Sequence, residues 1–164
     1  MIDIAAIEKV IVNTLQSYLS TEDRPCLVVM ANQTSSVPEY PYVSYTIITP
    51  VVASGGTYCI EPDGTRHKTL KQVWSFTVQS DSDIESKLLA LRMFDWFSLI
   101  GRVDIEDNEI IAESVSNVSN RDNLLTIEYE YRNGLDVTFA LTHTISEEEA
   151  NRAGYIEQVN VTRR

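Results

Sequence analysis

The stretch LTIEYEYRNGLDVTFAL, residues 125–141, decides how the second half of the chain folds. An Asn-Gly pair between two alternating runs is typical of a β-hairpin with a two-residue turn. With Asn133 and Gly134 as the turn, Arg132 would pair with Leu135 and Tyr131 with Asp136. Paired residues share a face of the sheet, so this hairpin sets polar beside apolar side chains.

A single continuous strand keeps the two kinds of side chain apart. One face then carries Leu125, Ile127, Tyr129, Tyr131, Leu135, Val137, Phe139 and Leu141. We therefore predict one strand of roughly 55 Å at ~3.3 Å per residue, with the hairpin as the alternative. Gly134 would mark a bend or a close approach of another backbone. Strands usually run ~5–6 residues, so this length suggests a sheet that continues outside the monomer.

Composition restricts the class of protein. The chain has 164 residues, enough for one domain with a real core. Its 13 basic and 24 acidic residues give a net charge of −11, which is unsuited to gripping a phosphate backbone. The first residues show no signal-peptide pattern and no apolar run is long enough for a membrane span, so we expect synthesis in the cytoplasm. Cys26 and Cys59 have no paired spacing and are expected to be free thiols.

The remaining pattern predicts an α+β fold. A helix over residues 4–19 with Asp3 as N-cap leads to a strand over 26–32, then to a long hairpin over 42–80 whose tip is Pro62-Asp63-Gly64. A capping box of Ser82 and Glu85 opens a second helix, with Gly101 at a C-cap position. A strand over 108–118 precedes the long strand. We predict a mostly antiparallel sheet with two helices on one face, as a domain of residues 1–142.

Residues 143–164 are predicted to be a C-terminal appendage. Ser146 and Glu149 form a capping box for a short acidic helix. The last residues have little apolar content and are expected to be frayed or docked on a partner.

Two segments are candidate subunit interfaces. The second half of the second helix is apolar nearly all round, and includes Trp96 and Phe97. Either the N-terminal helix covers the extra face, or another subunit does. Arg66, His67 and Lys68 form the one compact basic patch, on the return arm of the hairpin. They are either solvated or in contact with a neighbouring subunit or a polyanion.

The sequence gives no catalytic, cofactor-binding or metal-binding residues. It contains neither a glycine-rich phosphate loop nor a nucleophile elbow. Nothing local orients His67 or His143 for catalysis. The acidic segment 104–109 lacks the glycine and the terminal Glu spacing of a calcium loop and is expected to be solvated.

Four segments together resemble the phage neck terminator or tail terminator (tail completion) proteins of long-tailed bacteriophages and related prophages. They are YPYVSYTI at 40–47, KQVWSFTVQSDS at 71–82, DWF followed by GR at 95–102, and NRDNLLTIEYEYRNGLDVTF at 120–139. The resemblance covers roughly residues 1–142, and the chain from Ile145 onward is not placed in the family pattern.

The resemblance implies a structural virion protein rather than an enzyme. Such proteins assemble as a ring, typically of six copies, that caps the tail tube, stops its growth and offers a surface for joining the head. The implied partners are further copies of the chain, the tail tube protein and a head-completion or connector protein. DNA would only pass through the lumen and no membrane would be bound. The protein would be in the host cytoplasm during assembly and then in the virion neck.

Two alternatives remain at this level. One is another tail tube or head-completion connector protein of similar fold. The other is a cytosolic enzyme or small-ligand domain, which would have a concave pocket with perturbed titratable groups.

Overall fold

The computed structural model describes residues 2–32, 36–52, 56–124 and 129–152. Its helices are α1 (Ile4–Leu19), α2 (Asp83–Asp95), α3 (Arg102–Glu106) and α4 (Glu147–Arg152), and a π-helical turn over Trp96–Ile100 joins α2 to α3. Its strands are β1 (Leu27–Met30), β2 (Tyr42–Val52), β3 (Cys59–Ile60), β4 (Arg66–Ser80), β5 (Ile110–Val115), β6 (Ser119–Asn120), β7 (Asn123–Leu124) and β8 (Tyr129–Ile145).

One sheet organises these elements. Its main strand order is β1-β2-β4-β8-β5, and the short strands β3, β6 and β7 pair with β4 or β8. All pairs are antiparallel except β1 with β2. Strands β2 and β4 are the two arms of the predicted long hairpin. The predicted α+β class is confirmed.

Strand β8 passes through Asn133 and Gly134 without turning. Asn133 pairs with Val78 and Gly134 with Thr77, in a register with β4 that is unbroken from Ser80↔Tyr131 to Arg66↔Ile145. The continuous strand is thus confirmed from residue 129 onward, and it extends past 141 to Ile145. Residues 125–128 lie outside the described residues, and Asn123 and Leu124 pair with Glu130 and Tyr129.

The core lies between the sheet and the two long helices. Helix α2 packs on β4 and β8, and α1 packs on β1 and α2. Alternating side chains of each strand enter the core, as a pleated strand requires. The largest fully buried side chains come from both strands and helices. They are Trp74, Trp96, Phe76, Phe97, Phe139, Ile11, Leu15, Leu19, Met93, Ile105, Ile110 and Leu135.

Side chains cap three helices where the sequence predicts caps. Asp3 Oδ1 accepts from the amide of Ala6 at 3.1 Å. Ser146 and Glu149 exchange both bonds of a capping box. At α2, Ser82 Oγ accepts from the amide of Glu85. The Glu85 carboxylate does not return this bond, because it pairs with Arg24 instead.

Gly101 is the C-cap residue of the π-helical turn, as its position in the sequence predicts, but it does not adopt the left-handed conformation of a glycine cap. Its amide donates to the carbonyl of Trp96 at 2.8 Å and so closes the π-helical turn, and its φ of −85° is not left-handed. The Trp96 indole lies so close that any Cβ at position 101 would overlap it. The glycine is needed for this contact rather than for a left-handed cap.

The predicted boundary after residue 142 falls inside β8. His143 pairs with Lys68 and Thr144 with His67, so the sheet continues to the start of α4. Helix α4 follows at the end of the β4/β8 ribbon, where the side chain of Glu147 lies against Gly64 in the hairpin turn. None of the helices in the described ranges combines the length and apolar character that a membrane span requires.

Candidate functional site

The acidic segment 104–109 lies on the surface, in α3 and the turn before β5. Its carboxylates are all exposed, namely those of Asp104, Glu106, Asp107 and Glu109. Glu106 pairs with Arg102, one helical turn earlier. Among the described residues, no group of three or more His, Cys, Asp or Glu side chains could hold a metal ion.

The two histidines lie near each other on β4 and β8 but on opposite faces. His67 Nδ1 lies 3.0 Å from Thr144 Oγ1, and Cys59 is directly opposite His67 on β3. An open depression of about 360 Å³ runs past these residues. Within the described ranges no hydrogen bond joins Cys59 to His67, and His143 Nδ1 is buried without a partner. Cys59 and His67 are therefore neighbours across two paired strands without the hydrogen bond that joins a nucleophile to its base.

Trp96 and Phe97 are in the monomer core. Their exposed fractions are 1% and 0%, and the Phe97 ring centroid lies 4.8 Å from those of Trp96 and Phe76. These side chains have no surface to offer a neighbouring subunit. The candidate interface in this region has to be sought among the exposed residues around them.

Helix α2 carries an exposed apolar stripe, which we call the α2 face. Ile84, Leu88 and Leu91 are exposed by 70%, 57% and 53% and follow the 4-3 spacing of a helix-packing surface. The opposite side of α2 buries Ser86, Leu89, Ala90 and Met93. Helical spacing alone would place these three residues on one face, and the structure adds that this face is exposed.

A second exposed apolar cluster follows the end of α2. It consists of Leu99, Ile100 and Val103, all at least half exposed, and we call it the α3 corner. Monomeric proteins rarely expose contiguous apolar surface without a functional reason. The α3 corner and the α2 face are therefore candidate interaction surfaces.

A groove of about 510 Å³ lies beside the α2 face, between α2 and the end of α1. Its apolar lining consists of Leu19, Cys26, Pro41, Ile84, Leu88 and Leu89. Burial raises the pKa of the Cys26 thiol to about 11, which keeps it neutral at pH 7. The groove is thus an apolar cleft with an uncharged floor.

Two arginines fix the walls of this groove. Arg24 forms two bonds to the Glu85 carboxylate, at 2.6 and 2.8 Å, and this pairing lowers the pKa of Glu85. Arg92 donates to the carbonyls of Tyr18 and Leu19 and stacks on the Tyr18 ring. A cation at the carboxyl end of a helix satisfies its free carbonyls and its dipole. The groove therefore has a defined shape before anything binds.

The basic patch of Arg66, His67 and Lys68 lies at the far end of the β4/β8 ribbon and is half-buried. Lys68 Nζ lies 5.5 Å from the centre of the Tyr58 ring, and Arg66 Nε is buried without a hydrogen-bond partner. Asp63 and the acidic first turn of α4 are close by in the same ribbon end. Acidic side chains therefore surround the patch at this end of the ribbon.

The other face of the sheet is polar. Arg121 lies across Gly134 and donates to Ser75 Oγ at 2.6 Å, Thr77 Oγ1 at 3.0 Å and Asp136 Oδ1 at 2.8 Å. The long helices pack on the opposite face. Sequence reasoning missed this network, because its members are far apart in the chain.

Comparison with protein families places the chain in a described family. The model of a family described as "Phage neck terminator protein" matches residues 9–163. The match includes the segment from Ile145 onward, which the resemblance in the sequence had not placed. No curated protein matches the chain.

Proposed function

The chain belongs to the phage neck terminator family and is accordingly a structural protein of the phage tail or neck, and from this premise we propose that it forms a ring that caps the tail tube. The ring would stop tube elongation and provide the surface on which the head is joined. The observation that carries the proposal is the family match over residues 9–163.

The surface of the monomer supports assembly. The core is complete without a partner, yet the α2 face and the α3 corner expose six large apolar side chains. Burying this apolar surface against another protein contributes about 25 cal/mol per Å² to the free energy of association. A monomer built this way gains from contact with other proteins.

A closed ring of more than two copies needs a head-to-tail interface, in which two different surfaces of the subunit meet. We propose the α2 face and the α3 corner as one of these surfaces. The α3 corner takes the place of Trp96 and Phe97, which are its buried neighbours. Arg66, His67 and Lys68 at the ribbon end are the proposed contact at a second surface, because they lie at the opposite end of β4 from Ser80, where the chain leads into α2.

The proposed partners follow from the position of such a ring. It would contact its own copies, six in the simplest case, the tail tube protein on one side and a head-completion or connector protein on the other. DNA would pass through the lumen without being held, since a chain of net charge −11 has little to neutralise phosphates. Assembly would take place in the host cytoplasm.

The test is the length of tail tubes assembled with and without the protein. We expect tubes of defined length with the protein at one end, seen by electron microscopy with a labelled chain, and overlong uncapped tubes without it. Labelled protein along the whole tube would instead indicate a tube component. Protein bound only to heads would indicate a head-completion component.

A further inference from the structure

The sequence ends in a segment, residues 153–164, that lies outside the described residues. It reads AGYIEQVNVTRR and contains the apolar residues Tyr155, Ile156, Val159 and Val161. The family match runs to residue 163, so the segment belongs to the family domain. We call it the C-terminal arm.

We propose that the C-terminal arm of one copy docks in the apolar groove beside α2 of the next copy. This inference rests on the proposed ring, for which it names a pair of complementary surfaces. The groove supplies an apolar cleft with no occupant among the described residues. The arm supplies apolar side chains of a size that such a cleft can hold, namely Tyr155, Ile156, Val159 and Val161.

Distance keeps most of the arm from reaching the groove of the same molecule. The far end of the groove lies at the level of Gln79, because its lining residues Cys26 and Pro41 directly precede Leu27 and Tyr42, and Tyr42 pairs with both Leu27 and Gln79. Helix α4 starts beyond Arg66, at the other end of β4. Arg66 and Gln79 are 13 residues apart along β4, which corresponds to roughly 43 Å at ~3.3 Å per residue.

The arm is too short to cover that distance. If α4 pointed straight at the groove it would shorten the gap by about 9 Å, leaving about 34 Å. Val161 follows Arg152 by nine residues, which reach roughly 32 Å when fully extended. Tyr155 and Ile156 fall much further short, and the path would have to go around the sheet. The near end of the groove, at Arg92, lies about 12 Å closer, because α2 rises about 1.5 Å per residue from Ile84 to Arg92. Val159 and Val161 would reach this end, but Tyr155 and Ile156 would not. The arm can therefore place all of its apolar residues in the groove only in another copy.

The end of the arm and one end of the groove carry opposite charges. Arg163 and Arg164 follow the apolar residues of the arm. Asp81 and Asp83 lie at the end of the groove where α2 begins, with side chains exposed by 68% and 41%. Asp81 lies 3.9 Å from Arg24 and Asp83 lies 2.7 Å from Lys87, and both carboxylates keep exposed oxygens. An arm with its basic end toward the start of α2 would add a second cation to these carboxylates and so favour one direction of binding.

The test measures arm binding directly with a labelled peptide of residues 153–164. The receiver is the full chain carrying Val159→Asp and Val161→Asp, whose own arm cannot compete. We expect saturable binding, weakened at least tenfold by Leu88→Asp in the receiver. Ile48→Asp, at a 52% exposed apolar position on β2, is the matched control and should leave binding unchanged. Ile84→Asp is a second groove variant should Leu88→Asp fold poorly.

Two results would overturn the inference. The first is a peptide that does not bind, or that binds equally well to the groove variants. The second is a Val159→Asp, Val161→Asp chain that assembles like the wild type. Either result would leave a wild-type ring, and thus the proposed function, intact. A wild type that forms no ring, alone or on tail tubes, would contradict the proposed function instead.

Discussion

Asn133 and Gly134 are a residue pair typical of hairpin turns, but in this structure both lie within strand β8. Asn133 Nδ2 donates to Ser86 Oγ at 3.0 Å in the core. Gly134 leaves room for the Arg121 guanidinium, and a Cβ there would lie 2.5 Å from the carbonyl oxygen of Phe76. The alternation of the flanking residues predicts the strand correctly. The partners that make these two residues necessary come from distant segments and could not be predicted.

Gly134→Ala should therefore destabilise the protein. At an unstrained site this change usually stabilises by ~0.4–1 kcal/mol, because the unfolded chain loses freedom. Here the overlap with the Phe76 carbonyl forces β4 and β8 apart, at a cost of ~1–3 kcal/mol. Urea unfolding measures the difference, with Thr138→Ala on the same face of β8 as the control. A more stable Gly134→Ala protein would contradict the close approach.

Trp96→Ala should unfold the monomer rather than merely prevent assembly. Removing a fully buried aromatic side chain costs ~3–5 kcal/mol, a large part of the total ~5–15 kcal/mol of a domain. Circular dichroism should show the loss of fold. Leu99→Asp, at a 75% exposed position, should keep the fold and lose assembly. A folded, non-assembling Trp96→Ala monomer would restore Trp96 itself as an interface residue.

At the scale of elements, helix α2 shows what hydrophobic periodicity can predict and what it cannot. Its sequence indicates which residues share a face, and Ile84, Leu88 and Leu91 do share one. The sequence of the helix does not indicate which face is covered, and this face is exposed. The buried face includes Ser86, whose hydroxyl accepts from Asn133 of β8. Which face is covered depends on the neighbouring strands, and the sequence of the helix alone does not indicate how those strands are placed.

The ion pair that attaches α2 to the loop before β1 predicts a pH dependence. The hydrogen bond from Arg24 lowers the pKa of Glu85 from its ordinary value of 4.5. A carboxyl with a lower pKa in the folded state stabilises fully above about pH 4.5 and loses this contribution as pH falls through the folded-state pKa. Glu85→Gln should cost about 0.5–1 kcal/mol at pH 7 and flatten the fall of stability below pH 4.5.

Unfolding free energies of both proteins between pH 3 and 7 test this prediction. Lys87→Gln, which removes the exposed pair with Asp83, is the matched control. Parallel pH curves for Glu85→Gln and the wild type would show that the Arg24 pair contributes nothing.

The ribbon end gives a prediction about assembly. Replacing Arg66, His67 and Lys68 with Ser should weaken ring formation severalfold if this end contacts a neighbour. The same change should leave the fold intact, since these side chains are only half-buried. Sedimentation measures the assembled fraction, with Lys71→Ser further along β4 as the control. Unchanged assembly would identify the ribbon end as solvated surface.

At the scale of the whole molecule, the α+β class and the order of helices and strands follow from local signals. The caps at Asp3, Ser82 and Ser146 and the turn at Pro62-Asp63-Gly64 are short-range features that tertiary contacts preserve. The π-helical turn, the parallel pairing of β1 with β2 and the short strands β6 and β7 arise from contacts between distant residues. The exposed surfaces that we propose for assembly appear only once the core is known.

The central claim is that this chain closes into a ring. Native mass measured over a concentration series, with negative-stain images of the same samples and of samples with purified tail tubes, tests it most directly. The account predicts a single closed species of about six copies with a central hole, in solution or at the tube end. A chain that stays monomeric at every concentration and is not recruited to tube ends would contradict it.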